Sequence, residues 1–183
     1  MATILVVYAS RTGCTREAAE LIGETIKAKA GLEVDVRPVQ EVRDLAGYRA
    51  VVVGSAGRNK RGWLREARHW LRDHEEALRT LPVAFFMTCW VLRDDTPAAR
   101  AEAEGYVALV RQKVPAVVPV AVGLFPGRLD LRRFSRFERF WMRMKHAPAG
   151  DWFDPARVRR WAEDLPAKLA LGSDTPGRGA EQR

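Results

Sequence analysis

Five short apolar runs rich in β-branched residues punctuate the chain: Ile4 to Ala9, Glu33 to Arg37, Ala50 to Gly54, Val83 to Cys89 and Val117 to Gly123. Most are continuously apolar rather than alternating, the pattern of strands buried on both faces. The segments between them carry a helical period. Thr15 to Ala30 gathers Ala18, Ala19, Ile22 and Ile26 on one side, and Trp63 to Leu78 gathers Trp63, Ala67, Trp70, Leu71 and Leu78. Pro97 to Lys113 is rich in Ala, Glu and Arg, all good helix formers, and a last helix is expected over Pro155 to Leu171. The alternation βαβαβαβαβα predicts a three-layer α/β domain with right-handed crossovers. Open sheets of this kind bind ligands outside the carboxyl ends of their strands, where the strand order reverses. The residues just after strands one, three and four are therefore the first place to look for function.

With 183 residues, a hydrophobic fraction of 47% and a charged fraction of 30%, the chain has the size and balance of one globular domain. That excludes a disordered, fibrous or membrane-embedded protein. The domain is expected over residues 1–171, and the Gly/Pro-rich, polar stretch 172–183 reads as a disordered tail. Lys plus Arg number 31 against 23 Asp plus Glu, a formal charge of +8. Such a charge favours anionic partners: an anionic membrane surface, nucleic acid, or a small substrate carrying carboxylates or phosphates. No nucleic-acid module is visible, so nucleic acid is not an expected partner. The two cysteines, Cys14 and Cys89, are far apart and lack metal-ligand spacing, and the histidines have no Cys or carboxylate partner at such spacing. No metal is expected. The N-terminal apolar run is too short for a signal sequence or a membrane span, which reads as a cytoplasmic protein with at most peripheral contact at the inner face of the cell membrane.

The first strand ends at Ala9 and is followed by Ser10-Arg11-Thr12-Gly13-Cys14-Thr15, after which a helix begins. A strand-to-helix turn of this composition aims backbone N–H groups, hydroxyls and a helix dipole of roughly +0.5 charge at one point, a place for a phosphate that requires no lysine. An ordinary tight turn, with Thr12 or Thr15 as an N-cap, is the alternative. Neither GxxxxGK[ST] nor GxGxxG occurs in the chain.

These residues resemble the flavodoxin family, whose FMN-phosphate loop follows the pattern [TS]-x-T-G-x-T directly after the first strand; Ser10, Thr12, Gly13 and Thr15 match it. Further on, Val51 to Arg58, Pro82 to Phe86, Gly127-Arg128-Leu129-Asp130 and Phe137-Glu138-Arg139-Phe140 are similar to the branch of menaquinone-dependent protoporphyrinogen IX dehydrogenases. The similarity covers about residues 3 to 170. It implies a flavodoxin-like, doubly wound, five-stranded parallel sheet of order 2-1-3-4-5, FMN as cofactor, and a basic helical insertion after the fifth strand. Carried over by position, Ser10, Arg11, Thr12, Gly13, Cys14 and Thr15 would hold the FMN phosphate. Ser55, Ala56, Gly57 and Arg58 would form the loop after strand three beside the isoalloxazine, and Thr88, Cys89 and Trp90 the loop after strand four on its other side. Where the branch tends to carry an aromatic residue after the loop arginine, this chain has Asn59-Lys60-Arg61-Gly62. Trp90 could supply a stacking face instead, or could cap the sheet end without touching flavin.

The insertion, about residues 124–154, separates the fifth strand from the last helix. Between Pro126 and His146 lie seven basic and two acidic residues, 7 − 2 = +5, more than half the net charge. On a helix from Leu131 to Met144, Phe134, Phe137, Phe140, Trp141 and Met144 fall on one arc, with Arg132, Arg136, Arg139 and Arg143 opposite. Two readings follow. Either the arginines meet an anionic bilayer or substrate carboxylates, or the aromatic arc packs on the domain and the arginines are solvated.

The resemblance implies an FMN-dependent oxidoreductase of haem biosynthesis that takes electrons from a porphyrinogen and passes them to a quinone, with the flavin carrying the redox chemistry. No paired group in the sequence demands a catalytic acid or base. The alternatives are a flavodoxin-like electron carrier without a small-molecule substrate, which the charge of +8 disfavours because typical flavodoxins are acidic, and a flavodoxin-fold domain that has lost FMN.

Overall fold

In a computed structural model, the described residues are 3–58, 61–129 and 149–169, together with Phe137, Phe140 and Met144. The continuous apolar runs do form a parallel sheet: β1 (Thr3–Ala9), β2 (Glu33–Pro38), β3 (Tyr48–Arg58), β5 (Val83–Cys89) and β6 (Ala121–Pro126), in the spatial order β2-β1-β3-β5-β6. This is the expected 2-1-3-4-5 winding, with a two-residue strand β4 (Gly62–Trp63) added antiparallel to the end of β3.

Register explains why the runs are continuous. Val6 pairs with Val36 on one side and Val52 on the other; Val52 pairs with Ala84, and Ala84 with Ala121. Val6, Val52 and Ala84 face a core closed by α1 (Cys14–Ala30) and α5 (Pro155–Glu163), through Ala18, Ala19, Ile22, Ile26, Val158 and Ala162. Their neighbours Leu5, Val7, Val51, Val53 and Phe85 face a second core closed by α2 (Arg65–Asp73), α3 (Glu75–Leu78) and α4 (Pro97–Arg111). Every strand residue of the centre thus meets a helix layer on one side or the other.

The helix starts follow their capping chemistry. Thr96 Oγ1 accepts the Ala99 N–H at 3.2 Å with Pro97 at the first turn of α4, and Asp154 Oδ1 accepts the Arg157 N–H at 3.1 Å with Pro155 opening α5. The last helix is shorter than expected: it breaks at Asp164 and resumes as α6 (Leu165–Lys168), since the Pro166 ring cannot continue the ladder.

Three other expectations are corrected. Trp63 opens no helix: it lies in β4 at full burial, its ring centroid 5.0 Å from that of Phe85. Ser55, Ala56, Gly57 and Arg58 are not a loop but the extended end of β3, with Gly57 opposite Trp63 and Arg58 opposite Gly62. The last sheet strand runs from Ala121 to Pro126 rather than from Val117 to Gly123, because Pro115 and Pro119 interrupt the apolar run.

The segment after β6 opens with a small stem, β7 (Arg128–Leu129) paired antiparallel to β8 (Gly150–Asp151). Beyond it, Phe137, Phe140 and Met144 are helical and exposed, at 72%, 60% and 62%. These three members of the apolar arc are therefore largely solvent-facing. Phe134, Trp141, Arg132, Arg136, Arg139 and Arg143, like the tail 172–183, lie outside the described residues.

Candidate functional site

The carboxyl ends of β1, β3 and β5 converge with the start of α1 at the point where the strand order reverses. Gly13 caps α1 with φ of 93°, a left-handed conformation that glycine adopts without the Cβ penalty other residues meet. No side chain caps the helix. The Ser10 hydroxyl accepts the Gly13 N–H at 3.1 Å, which folds the loop back on itself. The first N–H groups of α1 are left facing the loop, with the positive end of a 17-residue helix behind them. Thr12 is half-buried beside them and Arg11 is exposed.

Thr15 is buried, and its hydroxyl lies 2.7 Å from that of Thr88. One of the two donates to the other, so one hydroxyl proton of the pair remains for a further acceptor. The contact ties the first turn of α1 to the end of β5. Cys14 and Cys89, the neighbours of this pair, are free, buried thiols, and burial pushes each up to about 11. Burial therefore favours the neutral thiol at both positions near pH 7.

On the β3 side, the Ser55 hydroxyl is fully engaged: it donates to the Ala56 carbonyl at 3.0 Å and accepts the Leu64 N–H at 3.0 Å, locking the β3–β4 hairpin. A Cβ on Gly57 would come within 2.9 Å of Met87 Sδ and 3.0 Å of the Cys89 side chain, so the strands close up tightly there. Asn59 and Lys60, at the tip of the hairpin, lie outside the described residues. On the β5 side, Thr88 and Cys89 complete the strand, and half-buried Trp90 opens a 3₁₀ turn (Trp90–Asp94). One face of its indole is covered by the Arg93 guanidinium, 4.9 Å from the ring centroid.

The structure thus brings Ser10, Thr12, Gly13, Cys14, Thr15, Thr88 and Cys89 to one end of the sheet, while Ser55 is spent on internal hydrogen bonds. It also adds residues that sequence reasoning left without a role. The Arg128 guanidinium reaches Glu17 in the first turn of α1 at 3.3 Å and Asp151 in β8 at 2.7 Å. The Gly127 N–H donates to the Cys89 carbonyl at 3.1 Å. The signal was the Gly127-Arg128 pair itself; what it touches is visible only in three dimensions.

A family model described as a flavodoxin domain matches residues 5–154. The chain belongs to the flavodoxin domain family. Among solved structures it is similar to a flavodoxin from the domain Archaea, at 20% identity and a TM-score of 0.53, over 92% of this chain and 99% of that one. It is also similar to oxidised flavodoxin 2 from Bacillus cereus, at 16% identity and a TM-score of 0.52, over 93% and 99%. The Flv1 flavodiiron core from Synechocystis sp. PCC6803 aligns at 13% identity and a TM-score of 0.55, over 93% of this chain but 35% of that larger one. At these identities the likeness is one of fold. Among curated proteins, none matches the chain.

The flavodoxin family to which the chain belongs implies FMN as cofactor, and the donor set in this chain fits the phosphate end of that group. Gly13 gives the loop its left-handed turn, α1 offers N–H groups with no side-chain cap, and Thr12 and the Thr15–Thr88 pair add hydroxyls. Among the described residues, no helix is long and apolar enough to cross a membrane.

Proposed function

We propose that the chain binds FMN at the carboxyl end of its sheet and acts as an oxidoreductase that moves electrons from a porphyrinogen to a membrane quinone. The observation that carries this reading is the uncapped start of α1 at the strand-order reversal, next to a basic insertion that presents Phe137, Phe140 and Met144 outward. FMN, when bound, supplies the two-electron chemistry. The chain's own residues bind and orient. Backbone amides of Thr12, Cys14 and Thr15 and the hydroxyls of Thr12 and Thr15 hold the phosphate, Trp90 and the end of β3 flank the ring, and Arg132, Arg136, Arg139 and Arg143 attract substrate carboxylates or anionic lipid. Full oxidation of a porphyrinogen removes six electrons, so three quinones are reduced for each porphyrin formed.

Turnover tests the reading directly. With FMN bound, protoporphyrinogen IX and a menaquinone analogue should yield porphyrin at a rate that requires the quinone and exceeds autoxidation. Bound FMN without such turnover would leave the electron-carrier reading, which the similarity to flavodoxins favours and the charge of +8 opposes.

The same reading places the insertion against lipid. Three exposed apolar side chains at i, i+3 and i+7 share one helical face, within a stretch of net charge +5 from Pro126 to His146. Each basic residue near an anionic surface is worth about 1 kcal/mol, so neutralising Arg132, Arg136, Arg139 and Arg143 together should weaken binding to phosphatidylserine-containing vesicles by on the order of a hundredfold or more. FMN binding should be retained. Vesicle binding unchanged in that variant would remove the membrane from the account.

A further inference from the structure

The stem of the insertion and the phosphate loop are fastened to each other at one dipeptide. Gly127 reaches the end of β5 through its N–H to the Cys89 carbonyl, and its own carbonyl accepts the Trp152 N–H at 3.4 Å. A Cβ at this glycine would sit 3.2 Å from the Cys89 nitrogen and 3.3 Å from its carbonyl carbon, backbone atoms that cannot easily yield. Arg128 then reaches the start of α1 through its guanidinium, 3.3 Å from Glu17, while holding β8 through Asp151. Three separate elements, β5, α1 and β8, meet at two residues.

We propose that Arg128 is a positioning residue that couples occupancy of the phosphate loop to the hold of the β7–β8 stem on the start of α1. The inference rests on the FMN reading above and goes beyond it by naming the link. Glu17 places a carboxylate in the first turn of α1, and like charges at that helix end would oppose a phosphate held there. The Arg128 guanidinium, shared between Glu17 and Asp151, offsets that carboxylate. A bound phosphate makes this end of α1 more negative and so draws Arg128, with the stem it anchors, more firmly onto the helix. Coupling of this kind is reciprocal: whatever the phosphate does for the stem, the stem does for the phosphate.

Arginine suits the task because its planar fork can face two carboxylates at once, where a lysine ammonium serves as one point charge. Arg128→Ala should therefore weaken FMN binding by about fivefold or more, the lower end of measured coupling between sites, with Arg128→Lys intermediate. Asp151→Asn should act on the same link, so that its effect and that of Arg128→Ala are not additive.

Limited trypsin digestion of the full chain gives a readout independent of activity. FMN should slow cleavage within residues 130–148 of the natural protein, riboflavin, which lacks the phosphate, should not, and Arg128→Ala should abolish the FMN protection. Without any ligand, Arg128→Ala and Asp151→Asn should each speed cleavage there. FMN protection that persists in Arg128→Ala, or equal protection by riboflavin, would overturn the coupling. If FMN fails to bind the natural protein at all, the FMN reading and the coupling fall together, and ligand-free cleavage still reports whether Arg128 fastens the stem.

Discussion

Replacing Thr12 and Thr15 together by valine should reduce FMN affinity by on the order of 10² to 10⁴-fold, because each hydrogen bond to a charged phosphate is worth about 1.5 to 3 kcal/mol. The two positions should separate when changed singly. Thr12 is half-buried at the mouth of the loop, so Thr12→Val should cost affinity with little loss of stability. Thr15 is buried with its hydroxyl 2.7 Å from that of Thr88. Thr15→Val leaves the Thr88 hydroxyl buried without its partner, at about 1 to 3 kcal/mol, and so should lower both affinity and melting temperature. Thr15→Ser keeps the hydroxyl and should restore most of each. Flavin-fluorescence titration and a thermal melt on the same samples read the two effects; equal FMN affinity in the double variant would show that the phosphate binds elsewhere.

Gly54→Ala should be among the most damaging single changes in the molecule. Gly54 sits mid-sheet on β3, opposite Phe86 on β5, and a Cβ built on it falls 2.0 Å from the Phe86 Cζ and 2.1 Å from Cε1. The fully buried ring is itself packed against Trp161, with centroids 6.5 Å apart. Neither strand nor ring can retreat without disturbing the core closed by α1 and α5. Overpacking a dense core costs about 1 to 3 kcal/mol, occasionally more, and the built Cβ overlaps three atoms of the Phe86 ring, so a loss of about 3 kcal/mol or more in urea unfolding is expected. Gly54→Ala with Phe86→Leu, which removes the ring, should recover part of it. A Gly54→Ala protein as stable as the natural one would mean that the β3–β5 register is wrong.

The parts of the fold legible in the sequence were those set by local physics. Continuous Val and Ile runs marked the doubly covered strands, and Pro97 and Pro155 marked helix starts where a missing N–H does no harm. The β3–β4 hairpin was not legible. Trp63 shares a helical period with Ala67, Trp70 and Leu71, so periodicity assigned it to the helix, whereas the structure uses it to fill the core against Phe85. That choice is made by tertiary packing, which overrides propensity.

The site divides in the same way. Ser10 to Thr15 form one contiguous loop, and their hydroxyls, glycine and position after a strand announce an anion. The Thr15–Thr88 contact spans 73 residues and the Arg128–Glu17 pair 111, and nothing local predicts either. Ser55 is the instructive reverse. Its place after strand three suggested a loop contact, yet its hydroxyl is occupied by the Ala56 carbonyl and the Leu64 N–H. Charge counting located the basic insertion, whereas the exposure of Phe137, Phe140 and Met144 is visible only in three dimensions.

The central claim, an FMN site at the start of α1, is tested most directly by titrating FMN into the purified, flavin-free chain and following the absorbance spectrum and flavin fluorescence, with the Thr12→Val, Thr15→Val double variant alongside. The account predicts one FMN per chain, a perturbed flavin spectrum, and binding lost or strongly weakened in the double variant. Flavin that stays free in solution with the natural chain, or that binds both proteins equally well, would contradict it.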